Sequence, residues 1–397
     1  MMLTLLLDLD DTLLNTNLDA FVPAYFQALS AYLSARVPAN LMLHALIAGM
    51  HLMNESEDPG CTLQDVFETE FYPKIGISKK DLYQELEYFY DEIFPTLSHI
   101  TAPVPAAKPF IEWAFSQGYR IAIATDPLFP RKATYHRLRW AGFDPSQFEL
   151  ISTFEHFRFS KTHPAYYAEM LGQMGWPDGP VLMVGNDIDR DILPAKRLGL
   201  ATYHVNGIPA SGSGPEADGR GKLSDLRPWL EATDLSALVP SFKTPESFLG
   251  ILLASPASFS GLAANLDSAG WSQVPIPDEW SLTEVICHLR DTEREIHHMQ
   301  IKLLKEQDEP FIPRPDTNVW ASQRSYINEH GPSALKEFTS ARIEIISMLK
   351  EFSEADWARK ARHAIFGPTN FLEIIGFIAD HDRLHIQQAW KIINNKY

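Results

Sequence analysis

Short apolar runs that end abruptly in polar residues mark the first half of the chain. Residues 3–7, 121–124 and 181–184 are three such runs, and the first leads directly into Asp8 and Asp10. Runs of this length are typical of buried strands. Side chains alternate along a strand, so Asp8 and Asp10 lie on the same face. Ligands of open α/β sheets bind beyond the carboxyl ends of the strands. We therefore expect the polar residues that follow these apolar runs to lie at the ligand-binding edge of the sheet.

Two carboxylates side by side at a strand end repel each other unless a cation or a shared proton offsets them. Asp8 and Asp10 are therefore poor core residues, but they suit a site that holds a magnesium ion and a nucleophile. Taken alone, these two residues could equally belong to an Asp-rich, solvated turn after a strand, which is the alternative interpretation.

The rest of the N-terminal half supplies further polar residues in a fixed order. Thr125 follows the second apolar run, Lys161 precedes a helical stretch, and Asp187 and Asp191 follow the third run. With the Asp-x-Asp at Asp8, this ordered set resembles the four motifs of the haloacid dehalogenase (HAD) superfamily over roughly residues 1–235. The resemblance implies an α/β fold, a Rossmannoid parallel sheet with an inserted helical cap.

The resemblance also implies a chemistry for the first three motifs. Asp8 attacks phosphorus and forms an aspartyl-phosphate, which divides one difficult step into two easier ones. Asp10 protonates the leaving alcohol and then accepts a proton from water. Thr125 binds a phosphoryl oxygen, and Lys161 offsets the negative charge of Asp8 and of the phosphate.

Magnesium is the cofactor that the resemblance implies. Asp8, the backbone carbonyl of Asp10, and Asp187 would be its protein ligands, supported by Asp191, because Mg²⁺ prefers oxygen ligands. The chain departs from the family pattern at Asn186, where many members have Asp, so either Asn186 or the neighbouring Asp187 is the ligand. Dehalogenase members attack carbon and lack the second aspartate, so Asp10 favours phosphate ester hydrolysis over dehalogenation.

About ninety residues separate the first and second motifs, too many for a plain loop. Apolar spacing predicts helices over residues 18–33, 41–53, 63–71 and 81–94. An all-helical insert at about residues 16–100 resembles the cap that many superfamily members place over the active site. Caps select the substrate through residues without a motif, so the sequence leaves the substrate open.

The C-terminal part has a different pattern. Long helical spacings at residues 247–266, 282–304, 334–352 and 371–393 predict a four-helix bundle. The predicted domains are 1–235, a linker at 236–245, and the bundle at 246–397.

Histidines carry the chemistry of this part. His381 and His385 lie one turn apart on one helix face, and His288 lies on another helix of the bundle. The surrounding pattern, Trp-Ser-x-x-Glu-x-x-x-His and later Asp-His-x-x-x-His-x-x-Gln, resembles the DinB-like bundle family. The resemblance implies that these three histidines bind a divalent transition metal, zinc, nickel or iron. Three protein ligands leave positions open for water or substrate.

Several roles stay open for the bundle. It is a metal-dependent thiol transferase or hydrolase, a metal sensor or docking module for the phosphatase, or a dimerisation bundle with a vestigial site. A homodimer is compatible with each role. For the whole chain, the alternative to a phosphatase is a regulatory protein whose intact HAD part serves sensing.

The composition of the chain limits the classes of molecule that we expect it to bind. With 51 acidic and 34 basic residues, the formal charge of −17 disfavours nucleic acid and anionic membranes, which call for a basic surface. A small phosphorylated metabolite remains compatible, because magnesium and Lys161 supply local positive charge. Only two cysteines, Cys61 and Cys287, fit a reducing cytoplasm. The first apolar run reaches Asp8 too soon for a signal peptide, and we predict no transmembrane segment.

Overall fold

The computed structural model describes residues 2–207, 217–277, 279–317 and 319–395. The chain divides into two compact units. The first comprises Met1–Glu57, Cys61–Tyr166 and Pro177–Ser241, and the second comprises Asp58–Gly60, Tyr167–Trp176 and Phe242–Tyr397.

A parallel sheet forms the centre of the first unit. Its strand order is β5-β4-β1-β6-β7-β8, and a small antiparallel ribbon pairs β2 with β3. The strands are β1 (Thr4–Leu7), β2 (Leu14–Asn15), β3 (Ala102–Pro103), β4 (Arg120–Ile123), β5 (Leu150–Ile151), β6 (Val181–Gly185), β7 (Ala201–Val205) and β8 (Gly219–Gly221).

The register of the sheet brings the polar strand ends together. β1 pairs in parallel with β4 on one side and with β6 on the other, so Leu7 lies opposite both Ile123 and Val184. Every residue of β1 is buried, as expected for a central parallel strand. The residues that follow Leu7, Ile123 and Gly185 therefore lie at one edge of the sheet, and the predicted α/β fold is confirmed.

Helices connect these strands and form the cap. They are α1 (Leu18–Tyr32), α2 (Ala39–Glu55), α3 (Leu63–Ile75), α4 (Lys79–Tyr88), α5 (Ala107–Ser116), α6 (Arg131–Trp140), α7 (Pro164–Gln173), α8 (Leu193–Leu198) and α9 (Leu223–Ala232).

The helical cap comprises α1 to α4, inserted between β2 and β3. Thr62 begins α3 with a capping box, and Gly76 ends it at a positive φ of 70°. After α4 the chain continues through a π-helical turn, Phe89–Ile93, and a 3₁₀ segment, Phe94–Ile100. The cap core is aromatic, and Phe94 stacks on Trp140 of α6 with ring centroids 5.4 Å apart.

The second unit is a four-helix bundle with short additional helices. Its helices are α10 (Pro245–Ala263), α11 (Ser268–Ser272), α12 (Leu282–Thr292), α13 (His298–Glu306), α14 (Trp320–Gln323), α15 (Gly331–Lys350) and α16 (Phe371–Asn394). Side chains of Thr244, Ser281 and Asn370 cap α10, α12 and α16. The helix α12 packs on α15, and α10 packs on both α15 and α16.

Two features of the bundle differ from the simple pattern of the sequence. The predicted helix over 282–304 is interrupted by a π-helical turn, Glu293–His297, between α12 and α13. A small sheet forms from β9 (Phe311–Ile312), β10 (Lys360–His363) and β11 (Gly367–Asn370). The small sheet was not predicted because strands of two to four residues are too short to show a clear alternation of apolar and polar positions. The π-helical turn was not predicted because one wider turn leaves the helical spacing of apolar residues intact.

Helix α10 is long and apolar enough to cross a membrane by length and composition alone. Within its most apolar stretch of 18 residues, 72% is buried inside the structure. The central helix of a bundle has the same length and composition when its surface is covered by neighbouring helices.

Candidate active site and candidate metal centre

Asp8 lies immediately beyond β1, at the edge where the strand ends converge. Its backbone N–H donates to the carbonyl of Val184 on the neighbouring strand at 2.9 Å. The ammonium of Lys161 lies 2.7 Å from Asp8 Oδ1 and also forms an ion pair with Asp191. All three side chains are at most 8% exposed. The structure thus brings the predicted nucleophile, lysine and supporting acid into one buried cluster.

The charges of this cluster are unbalanced. Two carboxylates, Asp8 and Asp191, face the single ammonium of Lys161. Burial and the charge of Asp191 raise the pKa of Asp8 to about 8, against the lowering effect of Lys161. An additional cation at this position would relieve the excess negative charge.

Asp10 is held in a separate pair of contacts. Arg137 of α6 donates to Asp10 Oδ2 at 2.5 Å, and the Thr16 hydroxyl donates to Oδ1 at 2.7 Å. The Arg137 side chain is fully buried, and its guanidinium lies 4.2 Å from the centroid of the Phe129 ring. Sequence analysis missed Arg137, because an arginine in a helix rich in basic residues carries no local signal of burial.

The fourth motif brings Asn186, and not Asp187, to Asp8. In the orientation that satisfies its hydrogen bonds, the Asn186 amide nitrogen donates to the Asp10 carbonyl at 2.9 Å and to Asp8 Oδ2 at 3.2 Å. Asp187, named as a magnesium ligand from the sequence, instead accepts hydrogen bonds from the N–H groups of Asp189 and Arg190 at 2.8 and 3.2 Å. Its carboxylate thus caps the helical turn that follows.

The donor set at Asp8 fits magnesium. With the Asn186 amide turned the other way, its oxygen takes this position, 2.9 Å from the Asp10 carbonyl oxygen and 3.2 Å from Asp8 Oδ2. Three converging oxygens are the kind of ligand set that Mg²⁺ prefers, with water completing the octahedron.

Thr125 lies two residues beyond β4 and is buried. Its carbonyl accepts hydrogen bonds from the hydroxyls of Ser152 at 2.5 Å and Tyr166 at 2.9 Å. The next residue, Asp126, accepts from the backbone N–H of Lys161 at 3.3 Å and forms an ion pair with Arg190. The loop after β4 is therefore fixed against the segments that carry the lysine and the fourth motif.

The three predicted histidines meet in the bundle. The Nε2 atom of His381 lies 3.1 Å from that of His288 and 3.2 Å from that of His385. Helix α12 contributes His288, and α16 contributes the other two one turn apart. The indole of Trp280 stacks on the ring of His385 with 5° between the planes.

The chemistry of the three nitrogens fits a metal ion. Three neutral imidazoles that share such short distances cannot all be satisfied by hydrogen bonds to one another, whereas one cation accepts all three lone pairs. Burial lowers the pKa of His288 to about 2 and that of His385 to about 3, so both rings are neutral and ready to coordinate. Gln388 Oε1 lies 2.9 Å from His385 Nδ1 and fixes that ring.

A buried ionic network lies beside this centre and was missed by sequence analysis. Arg342, fully buried on α15, donates to Asp382 at 2.6 Å and to Glu293 at 3.0 Å. Glu293 in turn lies 2.8 Å from His297 Nδ1, and Asp382 Oδ1 lies 3.9 Å from His381 Nδ1. The four-residue spacing of Glu293 and His297 fits their contact, but no local pattern marks Arg342 as their buried neighbour.

Comparisons with known proteins match both halves of the chain. Residues 2–199 match the model of haloacid dehalogenase-like hydrolases, and residues 251–389 match that of the DinB superfamily. A glyceraldehyde 3-phosphate phosphatase from Methanocaldococcus jannaschii is 30% identical over 90 residues, covering 23% of this chain and 38% of that enzyme. The uncharacterized protein YuaE of Bacillus subtilis is 23% identical over 132 residues, covering 30% of this chain and 82% of that protein.

Among solved structures, an HAD phosphatase from Thermococcus onnurineus is similar with 21% sequence identity and a TM-score of 0.39. The match covers 58% of this chain and 98% of that phosphatase.

Proposed function

We propose that the first unit is a magnesium-dependent phosphatase of small phosphate esters. The basis is family membership: residues 2–199 belong to the haloacid dehalogenase-like hydrolases, and residues 251–389 belong to the DinB superfamily. The observation that carries the proposal is the cluster of Asp8, Lys161 and Asp191 at the edge of the sheet, with Asp10 two residues further along. The 30% sequence identity with a glyceraldehyde 3-phosphate phosphatase over 90 residues supports a phosphorylated substrate.

In the proposed reaction, Asp8 is the nucleophile. Its carboxylate attacks phosphorus, the bond to the leaving alcohol breaks, and an aspartyl-phosphate forms on Asp8. Lys161, 2.7 Å from Asp8, orients the carboxylate and offsets the charge of the phosphoryl group. Thr125 lies at the same edge and suits a hydrogen bond to a phosphoryl oxygen.

Magnesium would be held by Asp8, the Asp10 carbonyl and Asn186, with Asp191 in support through Lys161. When bound, it supplies positive charge to the phosphoryl oxygens.

Asp10 is the proposed general acid and base. It donates a proton to the leaving alcohol and later accepts one from the water that hydrolyses the aspartyl-phosphate. Its contacts to Arg137 and Thr16 fix the carboxylate in a defined orientation. A dehalogenase reaction has no need for a second aspartate held in this way.

Hydrolysis of a panel of phosphate monoesters, with and without magnesium, tests the proposal. We expect magnesium-dependent turnover that is lost in Asp8→Asn and retained in Asp189→Asn, a matched control at an exposed position close to the site. Mass spectrometry of acid-quenched protein should detect one added phosphoryl group on Asp8. Turnover that survives Asp8→Asn would refute the phosphatase assignment.

For the bundle, we infer a divalent transition-metal site formed by His288, His381 and His385. The convergence of the three Nε2 atoms supports it. Metal analysis of purified protein should find about one zinc, nickel or iron ion per chain, lost in His385→Ala. A metal content unaffected by His385→Ala would contradict this assignment and favour a bundle with a vestigial site.

A further inference from the structure

A cavity of about 160 Å³ lies in the first unit, between the cap helices and two loops at the catalytic edge of the sheet. The cap contributes Tyr25, Phe67 and Tyr90 to its wall, and the loops contribute Phe129 and Phe154. An apolar cavity of roughly 150 Å³ holds a benzene molecule. The size and lining therefore match one aromatic ring.

The position of the cavity ties it to the proposed reaction. Phe129 lies four residues beyond Thr125, and its ring contacts the guanidinium of Arg137, which holds Asp10. Within the cavity wall, Tyr25 packs directly on Phe129 at 5.7 Å between ring centroids, and Phe67 packs on Phe154 at 6.2 Å. The wall is thus built jointly by the cap and by the loops that follow β4 and β5. Phe129 therefore links this cavity to the Arg137–Asp10 pair, on the side of the cap where a group attached to the leaving oxygen would extend.

Two lysines at the cavity wall form ion pairs with acidic residues, and the remaining lining acid, Glu155, accepts hydrogen bonds from the backbone N–H of Arg131. Lys79 pairs with Glu68 at 2.6 Å, and Lys132 pairs with Glu87 at 2.9 Å. A charged or hydroxyl-rich leaving group would find few unpaired polar partners there, and its desolvation would be costly. The lining thus favours a neutral, apolar group.

Two buried tyrosine hydroxyls provide a polar contact at the wall of the cavity. The buried hydroxyls of Tyr25 and Tyr90 lie 2.7 Å apart and share a single hydrogen bond. Each phenol has one hydrogen to donate, so the pair keeps one hydrogen for a bound molecule. A ring that carries a hydrogen-bond acceptor would satisfy it.

We propose that this cavity binds the leaving group of the substrate and that the substrate is a phosphate monoester of an alcohol bearing a single aromatic ring. The proposal rests on the proposed phosphatase function, which supplies the phosphoryl site at Asp8. It adds the chemical class of the alcohol.

The kinetic test compares benzyl phosphate with ethyl phosphate, two alkyl esters of similar intrinsic reactivity. One methylene in an apolar pocket is worth roughly 10- to 200-fold, so the ring should raise kcat/KM by at least about 100-fold. Met50→Trp, which fills the cavity from α2, should lower the ratio of the two kcat/KM values at least about tenfold. Leu43→Trp, on the exposed face of the same helix, should leave the ratio unchanged. Equal kcat/KM values for both esters in the wild type would overturn the proposal and leave the phosphatase intact.

Binding of benzyl alcohol, measured by isothermal titration calorimetry, tests the cavity without turnover. We expect millimolar or tighter affinity that is lost in Met50→Trp and kept in Leu43→Trp, with thermal melting to verify that both variants fold. If no ester is hydrolysed but this pattern is observed, the ring site stands and the phosphatase assignment fails. Absence of binding to the wild type, or equal binding to Met50→Trp, would overturn the proposal.

Discussion

Replacing the proposed nucleophile should stabilise the protein while it abolishes activity. Asp8→Asn removes one of two buried carboxylates that face a single ammonium, and Lys161 keeps its ion pair with Asp191. The neutral amide has nearly the shape of the carboxyl group, so packing is preserved. In metal-free protein the substitution therefore acts mainly on the electrostatic cost of burying an ionised Asp8.

The magnitude follows from the pKa of Asp8, which burial and the charge of Asp191 raise from 3.8 to about 8. At 1.36 kcal/mol per unit, a shift of about four units corresponds to at most about 6 kcal/mol. Screening inside a real protein is stronger than this limit implies, so we expect about 2–4 kcal/mol.

The sign of the pH dependence is fixed by the same shift. Between about pH 4 and pH 8 the folded state keeps a proton on Asp8 that the unfolded state has released, so stability falls as the pH rises through this window. The asparagine variant lacks this loss. Its advantage over wild type should therefore be full above about pH 8 and small near pH 4.

Denaturant unfolding of wild type and Asp8→Asn, with a chelator present, measures the difference at about pH 5 and about pH 8.5. Asp189→Asn, exposed and near the site, is the matched control and should change stability little at either pH. The reasoning is refuted if Asp8→Asn is no more stable than wild type at the higher pH. A gain that is equal at both pH values would also refute it.

Three further substitutions test the two centres. Asn186→Asp adds a charge beside Asp8 and should tighten magnesium binding about tenfold in calorimetry, whereas Asp187→Asn should change it little. His385→Ala should weaken zinc binding by at least about 100-fold in chelator competition, and His330→Ala, at an exposed position, should not. Arg342→Met leaves Glu293 and Asp382 buried without their cation and should destabilise the bundle by about 3–5 kcal/mol in denaturant; a loss below about 1 kcal/mol would contradict this.

Sequence reasoning located the elements whose signal is local. The run before Asp8 predicted a buried strand, which is β1 at the centre of the sheet. The i, i+4 spacing of His381 and His385 predicted a shared helix face, and the two rings indeed lie together. In both cases the period of the backbone fixes which side chains are neighbours, so a short stretch of sequence suffices.

The remaining features depend on contacts that no local pattern encodes. Asn186 and Asp187 are adjacent, and only the turn after β6 decides which of them faces Asp8. Arg137 lies 127 positions from Asp10, and Arg342 lies 49 positions from Glu293. Buried arginines of this kind have the same sequence signal as solvated ones, because burial is a property of the tertiary fold.

The two centres differ in how their buried carboxylates are balanced by positive charge. Asp8 and Asp191 outnumber Lys161 in the first unit. In the second unit, Arg342 lowers the pKa of both Glu293 and Asp382 despite their burial, and Asp382 lies 3.9 Å from an imidazole of the histidine triad. The excess of negative charge at Asp8 costs stability in the metal-free protein, and a bound cation offsets that cost by linkage to folding. The stability gained by Asp8→Asn and the magnesium affinity lost with it are therefore two measures of the same electrostatic term.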